Sequence, residues 1–97
     1  MKIEEAIKSI VSELIVKKES FTAHDITNHL RDAVNSEVLK LDDAQEVQGQ
    51  DDLGNTVKTQ FIDHAAVKQI VHSMFPLEMI GYGKEYKSDH ILYSYIN

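Results

Sequence analysis

His64, Lys68 and His72 fall four residues apart, and a helix brings such positions onto one face. Ala65, Gln69 and Ser73 share that face. The two imidazoles stand two turns apart without a carboxylate partner at ligand spacing, so a metal reading fails and surface histidines are the plain alternative. His24 and His29, five apart, make no stronger pair, since Asp25 between them is needed to begin a helix. The chain has no Cys, which removes cysteine zinc sites and disulfides alike. Asp42, Asp43, Glu46, Asp51 and Asp52 do not follow calcium-loop spacing. There is no glycine-rich phosphate loop, no nucleophile motif and no pair of carboxylates on a shared element, so no catalytic residue and no cofactor are assigned. What remains is the chemistry of binding: amide, ammonium, imidazole and hydroxyl groups on the polar side of a helix.

The elements that must hold this face follow from hydrophobic periodicity. Ile3, Ala6, Ile7, Ile10, Val11, Leu14 and Ile15 recur at three and four, predicting a helix over about 2–18. Glu4 and Glu5 fall in its first turn and Lys17 and Lys18 in its last, as the helix macrodipole favours. Ser20-Phe21-Thr22 is an extended link. Thr22 and Asp25 then form a capping-box variant opening a second helix over 23–35, with Ile26, Leu30, Ala33 and Val34 inward and a stop at Asn35-Ser36. Asp63 is a second N-cap, and Ile62 with Val67 has the spacing of a hydrophobic staple. Val67, Ile70, Val71, Met74 and Phe75 predict the buried row of a third helix over 64–75, which Pro76 ends.

Residues 36–60 differ in kind. Two glycines, many amides and acids, and few apolar anchors read as a long polar loop, with a small hairpin turning at Gly54-Asn55 as the alternative. After Pro76 the period changes. Met79 to Tyr86 and Ile91 to Ile96 read as two strands joined by a polar turn at Lys87-Ser88-Asp89. An isolated hairpin is marginal in water, so the link around Phe21 is the natural third strand. Tyr82, Tyr86, Tyr93 and Tyr95 gather there, and core packing explains them better than a dimer surface does.

This order, with Phe21-Thr22 and Asp25-Ile26 opening helix two, the Asp63–Phe75 helix and the hairpin around Lys84 to Lys87, resembles the winged helix-turn-helix superfamily. The resemblance covers roughly residues 2–35 and 61–97, with 36–60 as an acidic insertion. It implies an α+β fold: one small winged-helix domain over 1–97, with three helices, a C-terminal β-hairpin and a long polar loop between helices two and three. It implies double-stranded DNA as partner, with His64, Lys68, Gln69, His72 and Ser73 at the bases and Lys84 and Lys87 on phosphates. Gln69 and Lys68 suit that role chemically, because an amide can bond adenine bidentately and an ammonium can bond guanine acceptors. The long acidic insertion and the absence of Arg from helix three depart from the superfamily's DNA binders.

Length and charge set the remaining bounds. The chain's 97 residues allow one domain with a modest core, and 42% apolar and 27% charged residues are ordinary for a globular protein. Of the net charge of −6, residues 41–60 carry −4, so the rest is near neutral. No basic face announces itself, which keeps a winged-helix module for a protein partner as the second reading. The N-terminus mixes charge with apolar residues and is neither signal peptide nor membrane span, which with the missing Cys fits a cytoplasmic protein. A small transcriptional regulator acting as a homodimer is the expectation, because so small a surface reads DNA tightly only through paired half-sites.

Overall fold

The computed structural model describes residues 1–74, 82–87 and 90–95, with Tyr82, Glu85, Tyr86, Lys87 and His90 described by backbone alone. Phe75 and Pro76, the predicted end of the third helix, and Ser88-Asp89, the predicted turn, lie outside the described residues. The chain is α+β, with three helices and two small antiparallel sheets in the order α1 (Ile3–Val16), β1 (Phe21–Thr22), α2 (Ala23–Asn35), β2 (Glu46–Gln50), β3 (Thr56–Gln60), α3 (His64–Met74), β4 (Tyr82–Lys87) and β5 (His90–Tyr95). No helix among the described residues is long and apolar enough to cross a membrane.

α1 buries Ala6, Ile7 and Val11, with Ile3, Ile10, Leu14 and Ile15 packed at the edge of the core. Lys2 at its N-cap has no acceptor to offer. The Asp43 carboxylate, forty residues away, accepts the Ile3 N–H at 2.9 Å instead. The predicted basic last turn is corrected: the helix stops at Val16, and Lys17 and Lys18 fall beyond it. Lys18 takes the left-handed conformation at φ 56°, letting the Glu19 N–H reach Leu14 O (3.0 Å) and the Lys18 N–H reach Ile15 O (3.1 Å). This is the Schellman closure, with lysine where glycine is usual.

α2 spans the predicted residues, and its capping box is complete. Thr22 Oγ1 accepts the Asp25 N–H at 3.2 Å, and Asp25 Oδ2 accepts the Thr22 N–H at 2.8 Å. A second Schellman closure ends this helix around Glu37 at φ 60°, with Val38 N–H on Ala33 O (3.0 Å) and Glu37 N–H on Val34 O (3.2 Å). The turn leaves Val38 81% exposed and returns Leu41 to the core.

The long polar loop is also corrected. Residues 46–60 form a five-pair antiparallel hairpin running from Glu46↔Gln60 to Gln50↔Thr56. Asp51 makes its turn. Its Oδ1 accepts the Leu53 and Asn55 N–H groups at 3.0 and 2.9 Å, while Gly54 supplies φ 81°. Gln60 roots the other end by clasping the Leu41 backbone, accepting its N–H at 2.8 Å and donating to its carbonyl at 2.6 Å. Thr59 adds a hydroxyl bond to Asn35 Oδ1 at 2.6 Å. Polar side chains hold this hairpin where apolar periodicity is thin.

In the other sheet β5 lies between β1 and β4, with Phe21↔Tyr93 and Thr22↔Leu92 on one side and Lys84↔Tyr93 on the other. The expected third strand at Phe21 is thus present, and its ring stacks on Tyr93 at 5.3 Å. These two rings close a core of Ile7, Val11, Ile26, Leu30, Leu41, Ile62, Val67 and Val71. Tyr95 stays at the surface, with the Lys18 ammonium 4.9 Å from its ring centre.

A β-carbon in the left-handed region costs about 1–2 kcal/mol. Glu37→Gly should therefore raise stability by about 1 kcal/mol, which for a domain of this size is a rise in Tm of roughly 4–8 °C in thermal unfolding. Lys18→Gly should gain less, because it also removes the cation from the Tyr95 ring. An unchanged or lower Tm for Glu37→Gly would show that the closure stores no strain there.

Candidate functional site

α3 begins where the Asp63 carboxylate accepts the Ala65 N–H at 3.1 Å, and the Val67 N–H continues onto Asp63 O. Ile62 before the cap and Val67 four residues after it are both buried, as the staple spacing requires. Val67, Val71 and Met74 point inward. The opposite side carries Ala65, Lys68, Gln69, His72 and Ser73, all exposed. Ser73 spends its hydroxyl proton on Ile70 O at 2.8 Å.

Ala65, Lys68, Gln69 and His72 face Ile91 of β5 across a shallow groove of about 380 Å³. Its lining combines aliphatic Ala65 and Ile91 with an ammonium, an amide and an imidazole. Lys84 stands exposed on β4. The backbone of Lys87 pairs with His90 at the end of the same ladder, while its side chain lies outside the described residues.

His64 departs from the row in which the sequence placed it. It is half-buried, its ring stacks on His24 at 3.9 Å with 19° between planes, and its Nδ1 lies 2.7 Å from Thr27 Oγ1. Thr27 has one hydroxyl proton and two acceptors within reach, Ala23 O at 3.0 Å and His64 Nδ1 at 2.7 Å. The tautomer of neutral His64 follows from which of them takes it, whereas protonated His64 donates from Nδ1 to the hydroxyl and leaves Nε2–H for another partner. A clamp between α2 and α3, not a base-reading side chain, is what the geometry gives this residue.

Arg31 reinforces the seam by donating from Nη2 to Ile62 O, just ahead of α3, at 3.2 Å. His24, Thr27 and Arg31 follow one another by three and four along α2. That helical spacing was a usable signal, obscured when His24 was paired with His29. Burial, then the charges of His24, Lys68 and Arg31, hold the His64 imidazole below its ordinary value of 6.5, with Asp63 opposing them. Among the described residues no three His, Cys, Asp or Glu gather as a metal site would need. No family model, curated protein or solved structure matches the chain.

The depressed imidazole makes stability depend on pH. Folding excludes a proton that the unfolded chain accepts below about 6.5, so the contribution is intact above that pH. It is lost as pH falls toward the folded-state value. Asp42 and Asp51, whose carboxyls are held below 3.8, lose theirs only in stronger acid. Urea unfolding between pH 7 and 5 should show falling stability, and His64→Asn, whose amide can still donate to Thr27, should flatten the slope. An equal slope in the variant would remove His64 as its source.

Proposed function

We propose that this chain is a winged-helix domain that binds double-stranded DNA, with α3 in the major groove and the β4–β5 hairpin as the wing. The observation carrying the reading is the exposed row Lys68, Gln69, His72 and Ser73 on a helix whose apolar side is wholly committed to the core. The element order and the β1-β5-β4 sheet support it, because they set a two-stranded ribbon with exposed Lys84 at the end of the chain. In this reading Lys68, Gln69 and His72 meet base edges, Ser73 adds a short contact, and Lys84 and Lys87 sit on phosphates. His64 orients α3 and leaves the bases to its neighbours. A cytoplasmic transcriptional regulator working as a homodimer fits a surface this small, since two half-sites double the contacts.

The β2–β3 hairpin favours a second reading, a winged-helix module for a protein partner. Its surroundings expose Val57 (46%), Leu53 (85%) and Phe61 (54%) beside acidic side chains. Phosphate contacts separate the two. Affinity for mixed-sequence duplex, followed by fluorescence anisotropy, should fall steeply with salt, and each lysine lost should reduce the log–log slope by about one. Lys68→Glu with Lys84→Glu should abolish binding while circular dichroism stays native. Failure of the parent chain to bind duplex even at low salt would refute the DNA reading and leave the protein module.

A further inference from the structure

We propose that the junction of α2 and α3 is a phosphate site in which His64 takes up a proton as the anion arrives, with His24 and Lys68 as its neighbours. The site is built by the clamp described above. Because Nδ1 is committed to Thr27, the ring atom of His64 that can take another partner is Nε2. Protonated, it becomes a charged donor, the kind that makes short, strong bonds to phosphate oxygens.

The surroundings favour that exchange. His24 lies 3.9 Å away in a stack 19° from parallel, so positive charge there opposes a proton on His64 until an anion is present. Lys68 stands one turn further along α3, and Arg31 is anchored at Ile62 beside the start of the helix. Asp63 is the one carboxylate that favours the proton on His64, and its Oδ1 already accepts the Ala65 N–H. Asp25, beside His24 on α2, accepts the Thr22 N–H. From β5, Ile91 and Tyr93 complete the wall of a cleft of about 20 Å³. That volume holds one oxygen-sized atom, so a phosphate would insert a single oxygen and keep the rest of the group at the mouth. Both helices also start here, with the positive ends of their dipoles toward the junction.

The chemistry is that of a phosphate group, and its source is either the free ion or a DNA phosphodiester. Only the second rests on the function proposed above. Each phosphate bound with one proton makes affinity rise by up to about tenfold per pH unit on acidification.

The test is an NMR pH titration of the histidine ring protons in sodium phosphate and in sodium chloride at equal ionic strength. His64 should titrate at higher pH in phosphate, with shifts at His24 and Lys68, and His64→Asn should lose the effect on both. Duplex affinity measured in parallel from pH 7.5 to 5.5 should tighten in the parent chain and stay level in His64→Asn. An unchanged His64 titration in phosphate, or undiminished phosphate shifts in His64→Asn, would overturn the proposal. A phosphate response without any duplex binding keeps the site and removes DNA as its source. Duplex binding that ignores both pH and the substitution keeps the DNA reading and removes the site.

Discussion

Among the described residues Thr27 is the one buried side chain classed as polar, 1% exposed. A buried hydroxyl without partners costs about 1–3 kcal/mol by mutational data, so both of its bonds must be kept. One is local, to Ala23 O in the preceding turn. The other reaches across to His64, the first residue of α3. Apolar packing alone would let two helices slide by a fraction of an ångström at little cost. A hydroxyl held between Ala23 O and His64 Nδ1 does not allow that freedom. The position of α3, and with it the exposed row from Lys68 to Ser73, is therefore referred to the Thr27–His64 bond, with the Arg31–Ile62 bond and the His24–His64 stack beside it.

Charge placement follows the same economy. Three of the five acids in the 41–60 segment have structural partners. Asp42 bonds the Met1 ammonium at 2.8 Å, Asp43 caps α1, and Asp51 makes the β2–β3 turn. Two of these carboxylates, Asp43 and Asp51, thus sit where backbone N–H groups would otherwise lack partners. Anionic side chains are the strongest acceptors for such groups. Net charge remains a fair guide to long-range attraction and a poor one to what individual carboxylates do.

What the sequence could reveal depended on whether the signal was local. The capping box Thr22/Asp25, the cap Asp63 and the apolar rows lie within one or two helical turns, and α2 came out residue for residue. Phe21 as a strand was legible because a two-stranded ribbon needs cover. The β2–β3 hairpin was legible only as the alternative that Gly54-Asn55 suggested, since only Val47 and Val57 alternate within it and its hold comes from Gln60 on Leu41 and Thr59 on Asn35, contacts 19 and 24 residues apart. The cap on α1 spans forty residues and was hidden. His64 was placed on the exposed row, and it is half-buried against α2 for a related reason. Helical spacing gives the face of a residue to within one side chain, and the first residue of a helix sits where the neighbouring helix can claim it.

The two left-handed closures show how such long-range demands are met with ordinary residues. Glycine would adopt φ near 60° without strain, yet Lys18 and Glu37 hold it. In each case two backbone bonds satisfy carbonyls that the helix end would otherwise leave open. Lys18 gains something glycine could not supply: its ammonium reaches the Tyr95 ring at 4.9 Å and ties the end of α1 to β5. β5 is the middle strand, paired to β1 on one side and to β4 on the other. A strained residue after the first helix therefore helps fix the plane of the ribbon carrying Lys84, while Thr27 and His64 fix the helix beside it. Each half of the exposed surface is therefore set by a contact outside it.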